Sequence, residues 1–243
     1  MELIDLVKTG ESPSIAFVGA GGKTSAIFSL ARQLTGKVIV AATTHLAEEQ
    51  LGLADTYCTV ASPAAIQRDW KRALKGEQSK VILFAGKLGA DSRTTGLTED
   101  EIESLHDLCK SADLPLLIEA DGSRQKPLKA PGAHEPVIPF WTDMVVVTAG
   151  LTGLNKPLEQ EWVHRPEIFA LLSGLPEGAL ITPQALARVL THPTGGLKNI
   201  PNDARRVALL NQADSPRLRS LARQVESLIT PAYDGVIITS IKP

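Results

Sequence analysis

A glycine-rich loop between an apolar run and a helical pattern is the first segment whose residues could do chemistry. It follows apolar residues 15–18 and consists of Gly19, Ala20, Gly21, Gly22, Lys23, Thr24 and Ser25. Glycines let several backbone N–H groups converge on one anion, and the start of the next helix adds partial positive charge. Lys23 adds a full charge, and the Thr24 hydroxyl suits Mg²⁺. We therefore predict that this loop binds a triphosphate with Mg²⁺.

The spacing between the glycines and the lysine distinguishes this loop from the commonest phosphate-binding loop. Its pattern, G-x-x-G-K-T, is two residues shorter than the commonest phosphate-binding loop and resembles that of the Mur-type ligases, G-T-x-G-K-[ST]. Because so short a pattern recurs by chance, the prediction depends on the strand before it and the helix after it. The alternative is a glycine-rich turn with a solvated lysine.

Two carboxylates end a later apolar run, residues 114–120. A carboxylate at such a strand end typically lies beside the metal of a nucleotide site. We predict that Asp121 binds Mg²⁺ through water and that Glu119 is the candidate general base. Either carboxylate could orient the attacking water. Arg124 follows closely and is predicted to neutralise charge in the transition state. The alternative is an ordinary acidic turn.

A third signal lies near the C-terminus, where Asn211-Gln212-Ala213-Asp214 follows an apolar run. GTP-binding proteins carry N-K-x-D at this point. The aspartate accepts hydrogen bonds from guanine N1–H and the amino group, which adenine does not offer. The asparagine ties the base loop to the phosphate loop. We predict that Asn211, Asp214 and Ser240, at the end of the last strand, bind the nucleobase. The alternative is an Asx turn before the next helix.

Alternating strands and helices must position these residues. Buried strands are predicted at 15–18, 37–42, 80–85, 114–120, 143–149, 206–210 and 235–240, and helix starts at Ser62-Pro63, Thr98, Thr182-Pro183 and Ser215-Pro216. This order predicts an α/β, P-loop NTPase-like fold whose mostly parallel sheet has helices on both faces. We expect one domain over residues 1–243, with loop insertions at about 122–142 and 150–205 forming a cap.

Composition excludes several classes of function. The net charge is −2 and aromatic residues make up 4% of the chain, so we expect no nucleic-acid partner. No apolar run approaches the roughly 20 residues that span a bilayer, so no membrane association is expected. Cys58 and Cys109 form no CxxC pair and are expected to be reduced and buried. With no signal-peptide layout at the start, these features predict a cytoplasmic protein.

One long run of sequence resembles that of a known protein family. The run EADGSRQKPLKAPGAHEPVIP, together with GAGGKTS and Thr43-Thr44-His45, resembles the YqeC family of selenium cofactor biosynthesis proteins. The resemblance covers nearly the whole chain. It implies a P-loop NTPase-like protein in the maturation of selenium-dependent molybdenum hydroxylases. It also implies that such a hydroxylase, or one of its maturation factors, is a partner.

These signals together predict an accessory protein that binds and hydrolyses a nucleotide with Mg²⁺, with GTP favoured over ATP. Two other classes share the same phosphate loop. One is an ATP-dependent, Mur-like ligase or kinase that acts on a small substrate. The other is a non-catalytic module that uses the nucleotide as a regulatory ligand. The sequence leaves all three open.

Overall fold

A parallel β-sheet forms the centre of the computed structural model, which describes residues 2–7, 12–76 and 78–242. Its strands include β1 (Ser14–Gly19), β2 (Val38–Ala42), β3 (Thr56–Thr59), β4 (Val81–Ala85) and β5 (Leu116–Glu119). A small separate sheet pairs β6 (Leu128–Lys129) with β8 (Val163–His164). The main sheet continues with β7 (Met144–Gly150), β9 (Arg205–Asn211) and β10 (Gly235–Ile238). Its order is β10-β9-β7-β1-β5-β2-β4-β3, and every neighbouring pair is parallel.

Helices connect these strands. They are α1 (Lys23–Gln33), α2 (Glu48–Leu51), α3 (Pro63–Leu74), α4 (Glu99–Ala112), α5 (Pro166–Ser173), α6 (Pro183–Thr191) and α7 (Pro216–Ile229). Short 3₁₀ turns lie at Leu3–Leu6, Leu151–Gly153 and Thr230–Ala232. The predicted caps form, because the hydroxyls of Ser62, Thr98, Thr182 and Ser215 each accept a backbone N–H at the start of their helix.

Both faces of the sheet are covered. Ile15 and Phe17 of β1 pack with Ile27 and Leu30 of α1 on one face, while Ala16 faces the other, against residues of α3, α4 and α7. Burial on two faces explains why the strands are continuously apolar rather than alternating. The prediction of an α/β fold with a mostly parallel sheet and helices on both faces is confirmed.

The order in which the strands are added to the sheet changes direction at β1, although the strands themselves stay parallel. From β1 the sheet extends through β5, β2, β4 and β3 on one side, and through β7, β9 and β10 on the other. In such sheets the ligand crevice lies outside the carboxyl ends of the strands, at the point of reversal. The glycine loop, the Glu119–Asp121 segment and Asn211 all follow strands that end at this edge.

The two predicted loop insertions meet in the small sheet. Leu128 pairs with Val163, and Lys129 pairs with His164, in parallel register. Sequence reasoning missed both strands, since two-residue strands carry no usable periodicity. The single domain and the cap stay predictions.

Two further expectations concerned the cysteines and a membrane-spanning helix. Cys58 and Cys109 are both buried and are not disulfide-bonded. Within the part of the chain that the structure describes, no helix has the length and apolar character needed to cross a bilayer.

Candidate functional site

The glycine loop is held in a conformation that needs glycine. Gly21 and Gly22 have φ angles of 88° and 113°, in the left-handed region. A Cβ atom on Gly21 would collide with the backbone of Gly150 at the end of β7. Gly22 is the N-cap of α1 and no side chain caps this helix start. The backbone therefore turns tightly into an uncapped helix N-terminus, the arrangement that favours an anion.

Lys23 is the first residue of α1 and only 3% of its surface is exposed. Its Nζ donates to the Gly19 carbonyl oxygen at 2.7 Å, lies 3.2 Å from Asp121 Oδ1 and lies 4.0 Å from Glu119 Oε1. A buried ammonium is costly unless it is paired and hydrogen-bonded, and these acceptors supply both. The charge of Lys23 is thus held directly at the glycine loop.

Asp121 lies deep beneath the loop and its side chain is 2% exposed. Its two oxygens accept from the Gly19 N–H at 3.1 and 3.0 Å, and Oδ2 also accepts from Lys129 Nζ at 2.8 Å. Asp121 therefore bridges two lysines and the loop backbone. Its predicted role as a metal ligand stays a prediction.

Glu119 is the carboxylate next to the Thr24 hydroxyl. Thr24 Oγ1 donates to Glu119 Oε2 at 2.8 Å and accepts from Gln50 Nε2 at 3.1 Å. Burial raises the pKa of Glu119, and the nearby Lys23 charge and the Thr24 hydrogen bond only partly oppose this. A hydroxyl and a carboxylate oxygen at one point are ligands that Mg²⁺ prefers, so these two residues fit the predicted metal.

Of the residues predicted to bind the nucleobase, Asn211 contacts the glycine loop and Asp214 contacts Ser240. Asn211 is 1% exposed, and its Nδ2 donates to the Gly21 carbonyl oxygen at 2.9 Å while its Oδ1 accepts from the Ile241 N–H at 2.8 Å. Asp214 is exposed and accepts from the Ser240 hydroxyl. Asn211 thus joins the phosphate loop to the segment after β10, and Ser240 orients the Asp214 carboxylate. Gln212, where a lysine was expected, accepts from Thr152 instead.

An open cleft of about 1500 Å³ lies over this edge of the sheet. The glycine loop with Ser25 forms one side of the lining, and Ser240 also lines the cleft. The second side consists of residues from the two loop insertions, namely Gly122, Ser123, Arg124, Gln125, Glu135, His164 and Arg165. The structure therefore brings together residues from distant parts of the chain on the two sides of one cleft.

A row of alternating charges connects the loop to this second side. Lys129 Nζ donates to Glu135 Oε2 at 2.8 Å, and Arg165 donates to the two Glu135 oxygens at 2.7 and 3.0 Å. Burial raises the pKa of Glu135, but the hydrogen bonds from Arg165 and Lys129 outweigh it and lower the pKa to about 2. We call the series Lys23, Asp121, Lys129, Glu135 and Arg165 the charge row.

Sequence reasoning missed Arg165 and His164. Arg165 precedes Pro166, and a proline at a helix start is explained without any function. Its partner Glu135 is 30 residues away. No local pattern therefore pointed to this pair.

Comparison with known proteins identifies the relationship. The family model described as "YqeC protein" matches residues 15–167. The chain belongs to the YqeC family. A relative from Escherichia coli (strain K12), named "Uncharacterized protein YqeC", is 34% identical over 213 residues, which cover 86% of this chain and 80% of the relative. The part that matches the YqeC model contains the glycine loop, both carboxylates and the whole charge row.

Proposed function

We propose that this protein binds a nucleoside triphosphate together with Mg²⁺ at the glycine loop and hydrolyses it. The observation that carries the proposal is the meeting of three features at one point of the fold. The Lys23 ammonium, the uncapped start of α1 and the Thr24–Glu119 pair lie together where the strand order reverses. Each attracts either phosphate oxygens or a divalent cation.

In this proposal Asp121 contributes to the metal site through water, and Glu119 or Asp121 orients the attacking water, as predicted from the sequence. Thr24 and Glu119 hold the metal directly. Their oxygens are 2.8 Å apart, and Gln50 keeps the hydroxyl oriented. Mg²⁺, when bound, neutralises phosphate charge. Lys23 binds the outer phosphates, while Asp121 positions Lys23 and the Gly19 N–H.

We further propose that GTP is preferred over ATP. An aspartate carboxylate accepts from the paired N–H donors of guanine, which adenine lacks. Support comes from the hydrogen bond between Ser240 and Asp214 and from the tie between Asn211 and Gly21. ATP remains the second candidate.

The biological role we propose is that of a cytoplasmic accessory protein in selenium cofactor biosynthesis, acting in the maturation of selenium-dependent molybdenum hydroxylases. Its support is the resemblance of the EADGSR…HEPVIP block to the YqeC family of selenium cofactor biosynthesis proteins. A hydroxylase of this kind, or another maturation factor, is the proposed partner.

One observation favours a second candidate function, a kinase or ligase acting on a small substrate. The second side of the cleft carries Arg124, His164 and Arg165. His164 is uncharged at neutral pH because burial and nearby positive charges lower its pKa to about 4, but a protein that only hydrolyses nucleotide has no evident use for the two arginines there. A non-catalytic module remains the third candidate, and it differs by binding nucleotide without turnover.

Calorimetric titration with GTP and with ATP, each with and without Mg²⁺, tests the proposal. We expect Mg²⁺-dependent binding that is tighter for GTP, followed by phosphate release. Lys23→Met should weaken binding by about 10- to 100-fold, since it removes a charge-assisted contact. Lys110→Met, which changes an exposed lysine on α4, is the matched control. Equal affinity for wild type and Lys23→Met, or no binding of either nucleotide, would overturn the proposal, and binding without phosphate release would favour the non-catalytic module.

A further inference from the structure

The second side of the cleft, formed by the two loop insertions, carries two arginines and one glutamate and therefore more positive than negative charge. We call Arg124, His164 and Arg165 the basic wall; all three line the cleft. Arg124 is exposed, and within residues 2–7, 12–76 and 78–242 its guanidinium makes no ion pair or hydrogen bond. A guanidinium that points into a cleft without a partner is available to a ligand.

Arg165 keeps donors available even though it is paired. Its two contacts with Glu135 use two of the five N–H groups of the guanidinium. Glu135 also accepts from Lys129, so one carboxylate is shared between two cations. Glu135 therefore orients Arg165 rather than neutralising the wall.

His164 reports the resulting potential. Burial and the positive charges of Arg165, Lys129 and Arg124 lower the pKa of His164 to about 4, and Glu135 alone opposes them. At neutral pH the imidazole is uncharged and offers one N–H donor. Burial is the largest cause of this shift; the remaining part comes from the positive charges, and these charges favour an anion.

The backbone at this wall is also unusual. Arg124 and Arg165 have φ angles of 49° and 65°, a region that side-chain-bearing residues rarely adopt. Such conformations persist where the surrounding structure maintains them, and they concentrate at ligand sites. Pairing of Lys129 with His164 in the small sheet keeps the two segments adjacent.

We propose that the basic wall binds an oxyanion group, a phosphate or a carboxylate, of a small second substrate beside the nucleotide. The cleft measures about 1500 Å³. The cleft also extends along α1, past Phe28, Ser29 and Arg32. A single small-molecule pocket is typically about 300–1000 Å³, so the whole cleft exceeds one such pocket. The inference relies on the proposed function only in assigning the glycine loop to the nucleotide.

The test follows the imidazole of His164 by NMR while inorganic phosphate is added, with chloride at equal ionic strength as the reference. His164→Gln assigns the signal. We expect saturable binding that raises the pKa of His164 by about one unit, since a nearby anion favours the charged imidazole. Arg124→Gln should weaken phosphate binding about 10-fold, whereas Arg223→Gln, at an exposed position on α7, should not change it.

A second series separates this site from the nucleotide site. The phosphate response of His164 should persist in Lys23→Met and in the presence of saturating GTP and Mg²⁺. Loss of the response in either case means that the anion occupies the glycine loop, and overturns the second site while leaving nucleotide binding intact. A response that persists in a protein that binds no nucleotide supports the basic wall and contradicts the proposed function.

Malonate in place of phosphate distinguishes the two kinds of oxyanion. A saturable response to either ligand supports the site, and the stronger response identifies the class of substrate. A response to neither ligand overturns the proposal. An equal response in Arg124→Gln and wild type shows an adventitious ion only and overturns it as well.

Discussion

Lys23 and Asp121 form a buried ion pair. In the proposed function Lys23 contacts phosphate oxygens, and its 3.2 Å contact with Asp121 then weakens. Removing one partner of a buried pair normally leaves an uncompensated charge, which is strongly unfavourable. Asp121 avoids this, because the Gly19 N–H and Lys129 Nζ still donate to it. Lys129 therefore lets Lys23 change partners at low cost.

In our proposal, the preference for guanine over adenine depends on the carboxylate of Asp214. Asp214→Ala should weaken GTP binding by about 10- to 100-fold, since two hydrogen bonds to a charged acceptor are lost, and should leave ATP affinity unchanged. Calorimetry with both nucleotides measures the change.

The control for this substitution is Asp203→Ala, at an exposed position before β9. It should bind both nucleotides like wild type. If the preference for GTP survives Asp214→Ala, the Asn211–Asp214 segment is only a turn.

At the scale of elements, the shape of the glycine loop between β1 and α1 depends on its close packing against the end of β7. Gly21 packs against the backbone of Gly150, and Asn211 at the end of β9 donates to the Gly21 carbonyl oxygen. Three strand ends thereby determine the shape of one loop. Pro127 and Asp121, which lie outside the strands, complete the surroundings of the loop: the Pro127 carbonyl oxygen approaches Gly21, and Asp121 accepts from the Gly19 N–H.

Two glycines with similar backbone angles separate the effect of packing from that of conformation. Gly21 has φ 88° and Gly36, after α1, has φ 72°, but a Cβ atom on Gly36 would meet nothing within 4 Å. Gly36→Ala should lower the free energy of unfolding by about 1 kcal/mol and leave nucleotide binding unchanged. Gly21→Ala should cost about 2 kcal/mol more and abolish binding, because its methyl group collides with backbone.

Denaturant unfolding and calorimetry on both variants give the comparison. Equal stability and wild-type affinity in Gly21→Ala would contradict the close packing of the loop. Failure of Gly21→Ala alone to fold would agree with it.

At the scale of the whole molecule, the charge row links segments that are far apart in sequence. It begins at α1, passes the end of β5 and the small sheet, and ends at Arg165 before α5. These contacts hold the insertions against the edge where the strands end. Both sides of the cleft therefore share one electrostatic network.

Glu135 makes this network sensitive to pH. Its pKa is lowered from 4.5 to about 2, so ionised Glu135 contributes stability above pH 4.5 that is lost as the pH falls toward 2. The full shift corresponds to about 3 kcal/mol, which solvent screening of a partly exposed carboxylate reduces to roughly 1–2 kcal/mol. Glu135→Gln should lose about this much at pH 7, and its stability should vary less between pH 4.5 and 2.

Urea unfolding at several pH values measures both effects. Glu103→Gln, at an exposed position on α4, is the control and should follow wild type. An unchanged free energy of unfolding for Glu135→Gln at pH 7 would show that the ion pairs with Lys129 and Arg165 contribute nothing.

Local signals in the sequence determined the elements and the glycine loop. Apolar runs indicated the strands of the main sheet, and hydroxyl caps followed by proline or glutamate indicated where helices begin, because both effects act within a few residues. The glycines of residues 19–22 indicated where the loop lies, whereas its exact shape depends on contacts with Gly150 and Asn211. Fold class was therefore predictable without any contact between distant residues.

Tertiary structure alone decided which charged side chains meet. Glu119 contacts Thr24 while Asp121 turns toward Lys129, although the two carboxylates are only two residues apart. The pairing of β6 with β8 brings His164 beside Lys129, and Arg165 meets Glu135 across 30 residues. Such contacts depend on the geometry of loops beyond the strand ends, where no periodic pattern constrains the chain, so only the assembled fold defines the two sides of the cleft.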